Sequence, residues 1–161
     1  MTNKKIGLIV TIIFVVSLFC FQIHAVDVDL QSIKLKKNGI NLYVGSIYMD
    51  VNLDYERNIF QHPHSYTNLR LGIGKADFRE FRVSAFYMNP SIVHLIGRGN
   101  SHLELNLGFK YAISQLPETI NRVFVPDLFA GYRYERPDGR FIFRMGINYP
   151  SVFDFGVGFK F

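Results

Sequence analysis

The chain has 161 residues, of which 48% are hydrophobic, and a formal net charge of +5. This length corresponds to one domain. The basic residues are scattered singly rather than clustered, which excludes the basic patch of a nucleic-acid-binding protein. The single cysteine, Cys20, lies in an apolar N-terminal segment, so the rest of the chain has neither a disulfide framework nor a thiolate site.

The N-terminus has the three parts of a secretory signal peptide. Two lysines precede an apolar run at residues 6–21, and the segment closes on a small residue, Ala25. The run spans about 16 residues, which is shorter than the roughly 20 that a membrane-spanning helix needs. We therefore predict that residues 1–25 are a signal peptide cleaved after Ala25, and that residues 26–161 form one exported domain.

Apolar and polar residues alternate along most of the exported part. This alternation with a period of two is typical of strands that have one apolar face. Counted in chain order, it predicts eight strands, in residues 28–44, 47–56, 68–75, 83–96, 102–111, 128–135, 140–148 and 153–161. Turn-forming sequences separate several of these segments, at residues 97–100, 136–139 and 148–151.

Two of the eight segments are irregular. Asn38-Gly39 is a strong hairpin-turn pair, so the first segment is predicted to contain one strand and its turn. Pro90 lies inside the fourth segment and cannot donate to a strand ladder, so we predict that it occupies an edge, a bulge or a strand end.

The final segment ends on an aromatic residue, and its pattern is that of an outer-membrane strand. Such a strand resembles the C-terminal signal that outer-membrane barrels present to their assembly machinery, and we predict this role for Phe155, Val157, Phe159 and Phe161. After the signal peptide no apolar run approaches 18 residues, so a membrane protein of this sequence has to cross with strands closed into a barrel. The predicted fold is all-β, a single antiparallel up-and-down transmembrane β-barrel of eight strands, with outer-membrane lipid and the barrel assembly machinery as its partners.

If the apolar faces contact lipid, the charged faces line the interior of the barrel. An eight-stranded barrel has room only for side chains or one small ligand, so we predict a lumen closed by ion pairs and no open pore. The alternative is a soluble periplasmic ligand-binding barrel with its apolar face inward, which leaves the same charges outside. The predicted lumen network contains Asp50, Asp54, Glu56, Arg70, Glu104, Lys110, Arg133, Glu135, Arg140, Arg144, Asp154 and Lys160.

Serine and histidine lie close together in sequence at three places. A lipid-modifying barrel enzyme needs a nucleophile, a base and an orienting acid within hydrogen-bond reach. The chain contains none of the common catalytic, metal or nucleotide-binding motifs. The sequence therefore predicts no catalytic residue, no metal site and no cofactor, and it leaves a lipid-modifying enzyme and a small-solute channel as alternatives to a structural or interaction role. The three candidate sets are Ser65 with His62 and His64, Ser91 with His94, and Ser101 and His102 with Glu104.

Several blocks of the chain carry a family likeness. They lie in residues 41–57, 89–105, 131–139 and 143–146, and include the sequences His102-Leu103-Glu104-Leu105 and Gly131-Tyr132-Arg133-Tyr134. Together they resemble a group of small, uncharacterised outer-membrane β-barrel proteins of Bacteroidota, over roughly residues 41–161. The resemblance implies an outer-membrane location and a barrel fold, and it supplies no catalytic residue.

Overall fold

The computed structural model describes residues 36–46, 50–78, 83–113 and 124–161. The predicted signal peptide, residues 1–25, lies outside the described residues. Within them no helix is long and apolar enough to span a membrane. The strands are β1 Asn38–Gly45, β2 Asp50–His62, β3 Ser65–Phe78, β4 Val83–Ile96, β5 Ser101–Ala112, β6 Phe124–Glu135, β7 Phe141–Tyr149 and β8 Val152–Lys160.

The eight strands close into one antiparallel barrel. Each strand pairs with the next in sequence, and β1 pairs with β8, where Leu42 lies opposite Val157. Closure leaves no unpaired sheet edge. The predicted eight-stranded up-and-down β-barrel is confirmed.

The two ends of the barrel differ in their connections. Both chain ends of the barrel, Asn38 and Phe161, lie at one end and bond each other through their backbones. We call this the termini end; it also carries the short β2–β3, β4–β5 and β6–β7 turns. The opposite end carries the other connections, among them the β7–β8 turn, and we call it the loop end.

The prediction of a hairpin turn at Asn38-Gly39 was wrong. Both residues belong to β1, where Asn38 pairs with Arg57 and Gly39 pairs with Glu56. Gly39 also pairs with Lys160 of β8. The local turn preference of this dipeptide is overridden because its backbone closes the barrel between β2 and β8.

The prediction of an edge, bulge or strand end for Pro90 was also wrong. Pro90 lies inside the 14-residue strand β4, opposite Leu71 of β3. On the side of β5 the pairing stops at Met88 and resumes at Ser91. A closed barrel has no edge to offer, so the proline sits instead at a local gap in one ladder, where its missing N–H is tolerated.

Candidate functional site

The burial pattern separates an apolar outside from a charged inside. Along β1 the side chains alternate strictly, with Ile40, Leu42 and Val44 exposed and Asn41 and Tyr43 buried. Among the described residues the buried charged side chains comprise seven acidic and five basic ones: Asp50, Asp54, Glu56, Glu104, Asp127, Glu135, Asp154, Arg70, Lys110, Arg133, Arg144 and Lys160. The interior of the barrel is therefore the region where polar chemistry is concentrated, and it is the candidate functional site.

Eleven of the twelve residues predicted for the lumen lie inside the barrel. The prediction was wrong for Arg140, which is exposed and lies with its guanidinium 5.8 Å from the ring centre of the outward-facing Phe159. Arg140 stands just before β7 at the mouth of the barrel, where a long side chain reaches solvent whichever face it starts from.

Asp127 is a lumen residue that does not belong to the predicted network. It is buried on β6, and its carboxylate accepts hydrogen bonds from three asparagine side chains. The predicted strand began at residue 128, after Pro126, whereas β6 begins at Phe124. Extending the alternation of β6 back by one residue from Leu128 is the signal that places Asp127 inside.

Glu56 and Glu104 form the centre of an ion-pair cluster in the half of the lumen near the termini end. The Arg70 guanidinium lies 2.6 Å from the Glu56 carboxylate and 2.8 Å from that of Glu104. Arg133 contacts the same two carboxylates, at 2.8 and 3.5 Å. Arg144 adds a third arginine to Glu104, at 2.8 Å.

Glu135 and Lys160 extend this cluster toward the mouth. Arg133 Nε donates to Glu135 at 2.6 Å, and the Lys160 ammonium donates to the same carboxylate. A carboxylate oxygen of Asp54 lies 3.6 Å from Nε of Arg70, so Asp54 also belongs to the cluster. We call the set the termini cluster; its four acidic and four basic members balance in charge, and they are Asp54, Glu56, Glu104, Glu135, Arg70, Arg133, Arg144 and Lys160.

Aromatic rings hold the Arg144 guanidinium in place. Its central carbon lies 4.0 Å from the ring centre of Tyr43 and 3.8 Å from that of Phe129. Tyr43 reaches into the lumen over Gly156, where an added Cβ would come within 2.2 Å of the Tyr43 ring. The cation–π contacts and the missing side chain at Gly156 together allow a bulky layer to fill the barrel at this level.

A second group of charged residues, which we call the loop cluster, lies in the half near the loop end. The Lys110 ammonium donates to Asp50 and lies 3.5 Å from Asp127. The Tyr87 hydroxyl also donates to Asp50. We define the loop cluster as Asp50, Asp127, Asp154 and Lys110, together with the asparagines that contact them, Asn89, Asn106 and Asn148.

The packed side chains leave little free space in the lumen. One cavity lies beside the loop cluster and another lies near the termini end, and each has a volume of ≈ 10 Å³. That is room for about one water molecule.

In two of the three candidate sets the serine and the histidine lie on opposite faces of the barrel wall. Ser91 is buried in the lumen, whereas His94 faces outward and bonds the Thr67 hydroxyl at 3.0 Å. Ser101 bonds the Tyr132 hydroxyl at 2.9 Å, and His102 packs edge-on against Tyr66 at 5.5 Å between ring centres.

The remaining histidines lie at the β2–β3 turn. His64 contacts the Arg98 guanidinium, with Nε of Arg98 2.7 Å from its ring nitrogen, while His62 pairs with Ser65 in the strand ladder. In residues 36–46, 50–78, 83–113 and 124–161, no group of three or more His, Cys, Asp or Glu side chains is arranged to hold a metal ion.

Comparisons with known proteins bear on the fold alone. No family model matches the chain, and no curated protein matches it. Among solved structures it is similar to a protein described as "De novo design of transmembrane beta-barrels", with a TM-score of 0.52 and 13% sequence identity. The match covers 80% of this chain and 98% of the designed one. At this identity the likeness supports the closed barrel and carries no assignment of function.

Proposed function

We propose that this protein is an integral β-barrel of a Gram-negative outer membrane, with a structural or interaction role and a lumen closed by ion pairs. The observation that carries the proposal is the inside-out distribution of side chains. Large apolar residues are exposed on all eight strands, while the buried side chains include twelve charged ones. The soluble alternative requires the apolar face inward, which is the opposite of what the structure has.

The continuity of the apolar outer surface supports a membrane location. Soluble monomers rarely expose contiguous apolar patches larger than a few hundred Å². Around the middle of this barrel the exposed residues on adjacent strands are Ile92, Leu107 and Leu128, which lie opposite one another across the β4–β5 and β5–β6 ladders. A hydrocarbon solvent removes the cost of exposing such a surface.

Aromatic residues mark both ends of this apolar surface. On β7 the exposed aromatic rings are Phe141 at the termini end and Tyr149 at the loop end. On β8 Phe159 and Phe153 are exposed at the same two ends, with Phe155 exposed between them. Outer-membrane barrels have such girdles at both membrane–water interfaces. The nine residues of β7 and of β8 equal the lower limit of the roughly 9–11 that a tilted strand needs to cross a bilayer.

The sequence supplies the arguments for the outer membrane in particular. The predicted signal peptide provides export, and the resemblance to the Bacteroidota barrels points to the same location. Phe155, Val157, Phe159 and Phe161 all present their side chains on the outer surface at the end of the barrel's last strand. We propose that the assembly machinery reads this outward row of apolar side chains.

The packed lumen favours a structural or interaction role over conduction. The termini cluster joins residues of six strands across the interior, from Glu56 on β2 to Lys160 on β8. Opening the lumen would require breaking several buried ion pairs. Removing one partner of such a pair lowers the free energy of unfolding by about 3–5 kcal/mol. A small-solute channel would conduct in planar bilayers, whereas we expect no steady conductance.

The membrane assignment is tested by placing arginine on the outer surface at two depths. Leu107 and Phe60 are matched in exposure, at 65% and 64%, but Leu107 lies near the middle of β5 and Phe60 near the β2–β3 turn. In a bilayer, Leu107→Arg should reduce the free energy of unfolding by roughly 2–4 kcal/mol and Phe60→Arg by roughly 0–1 kcal/mol. Urea titration of both variants in lipid vesicles measures the difference.

A soluble barrel gives a different result in the same experiment. There both positions are in water, and surface substitutions usually change stability by less than about 0.5 kcal/mol. Equal and small effects of Leu107→Arg and Phe60→Arg would contradict the proposal.

A further inference from the structure

The loop cluster contains more buried acceptors than donors. Asp127 accepts the side-chain amides of Asn89, Asn106 and Asn148 at 3.1, 3.0 and 3.2 Å. Because each amide nitrogen points at this carboxylate, the orientation of each amide group is set by the hydrogen bond. The carbonyl oxygens of all three asparagines are buried and have no hydrogen-bond partner among the described residues. Each residue is at most 6% exposed.

Asp154 adds a carboxylate oxygen that is likewise buried and without a hydrogen-bond donor. Its Oδ2 accepts from Asn148 at 2.7 Å, while its Oδ1 is buried without a partner in the described part of the chain. All four of these residues line the cavity beside the loop cluster, which has room for about one water molecule. A buried acceptor without a donor destabilises the folded state. A hydrogen-bond donor or a cation in the cavity would remove this destabilisation.

The charge of the cluster favours a cation. Three carboxylates, those of Asp50, Asp127 and Asp154, are accompanied by one ammonium group, that of Lys110. The termini cluster, which borders the same cavity through Asp54, Arg70 and Arg144, has equal numbers of acidic and basic members. The two uncompensated negative charges of the lumen therefore belong to the loop cluster. A single water molecule can donate to only two of the four acceptors, and it would leave this charge in place.

We propose that the loop cluster binds a hard divalent cation of the calcium class, held by Asp154 Oδ1 and the free carbonyl oxygens of Asn89, Asn106 and Asn148. Calcium takes six to eight oxygen ligands in irregular geometries and accepts amide carbonyls beside carboxylates. Magnesium requires near-ideal octahedral geometry and gives up its water reluctantly.

The ligand set also limits the affinity. Most of the proposed ligands are neutral amides, because Lys110 occupies the space beside Asp50 and Asp127. Affinity for calcium rises with the number of charged ligands. For a site with few charged ligands we expect a dissociation constant of about 10⁻⁴–10⁻³ M, as in extracellular calcium modules.

Terbium luminescence tests the site directly, since Tb³⁺ replaces Ca²⁺ and is excited by nearby tyrosine. Tyr43 and Tyr87 line the cavity, and the chain has no tryptophan. With the full chain folded in a non-ionic detergent, we expect tyrosine-excited Tb³⁺ emission that added Ca²⁺ removes. Asp154→Asn keeps the side-chain shape and removes a charged ligand, so it should weaken binding about tenfold.

The matched control is Asp138→Asn, which removes an exposed carboxylate in the β6–β7 turn and should leave the emission unchanged. Asn52→Asp adds a carboxylate to the wall of the cavity and should strengthen binding even if Asp154→Asn fails to fold. Emission that Ca²⁺ does not remove, or equal affinity in wild type and Asn52→Asp, would overturn the proposal. A heat-modifiability gel on the same samples reports the folded barrel separately, so failure of the cation site is distinguishable from failure of the proposed function.

Discussion

The two halves of the lumen differ in the groups that compensate their buried carboxylates. The termini cluster pairs four acids with four bases, and its central carboxylates each contact two or three arginines. The loop cluster has one lysine for three aspartates and relies on asparagine amides to solvate Asp127. The first half is balanced in charge, whereas the second is left with excess negative charge.

The largest expected effect lies at the centre of the termini cluster. Glu104→Gln removes the carboxylate that contacts Arg70, Arg133 and Arg144, so three guanidinium groups lose a shared counter-charge. We expect a loss of about 3–5 kcal/mol in the free energy of unfolding. Urea titration in vesicles measures it, with Asp138→Asn as a surface control. A loss below about 1 kcal/mol, the range of exposed pairs, would mean that the cluster is solvated rather than buried.

The pair at the mouth of the termini cluster should show strong coupling. Glu135→Gln leaves the Lys160 ammonium with one carboxylate fewer in a buried setting, and Lys160→Met leaves Glu135 without its ammonium donor. The double variant removes both charges, so it should be less destabilised than the sum of the single variants by about 0.5–3 kcal/mol. A double-mutant cycle in urea measures this term, and strict additivity would argue against the pair.

The smallest effect is expected in the loop cluster. Asp127→Asn weakens the bonds from Asn89, Asn106 and Asn148 but also relieves repulsion between Asp127 and the aspartates that share its cavity. Because these two changes oppose each other, we expect a net loss of about 1 kcal/mol or less, measured without added divalent cation. If Asp127→Asn costs as much as Glu104→Gln, the two halves do not differ as described.

The alternation in the sequence was sufficient to predict the number of strands and the side on which most charged residues lie. Successive residues of a strand point to opposite faces, so the apolar residues on one face fix the face of every other residue. Glu104 and Arg133 are assigned to the lumen because their positions alternate with apolar ones. The predictions failed where another constraint was stronger than parity. Arg140 stands at the mouth, where solvent is within its reach, and Pro90 tolerates a strand interior because one ladder opens around it.

The pairing inside the lumen could not be predicted from the sequence. Glu56 and Arg133 are 77 residues apart and meet only because the stagger of the strands brings β2 and β6 to the same level across the barrel. The division into a balanced and an unbalanced half depends on the same stagger and on Asp127, which lay outside the predicted strand. Parity assigns a side chain to a face, whereas contacts across the interior depend on the register of all eight strands.

A heat-modifiability gel on fractionated cells tests directly whether the apolar surface of this barrel faces lipid. Outer membranes extracted with detergent are run unboiled and boiled beside the soluble periplasmic fraction. We expect the protein in the membrane fraction and a mobility shift on boiling, because a closed barrel stays folded in the unboiled sample and unfolds when the sample is boiled. Recovery in the soluble periplasmic fraction without a mobility shift would contradict this expectation.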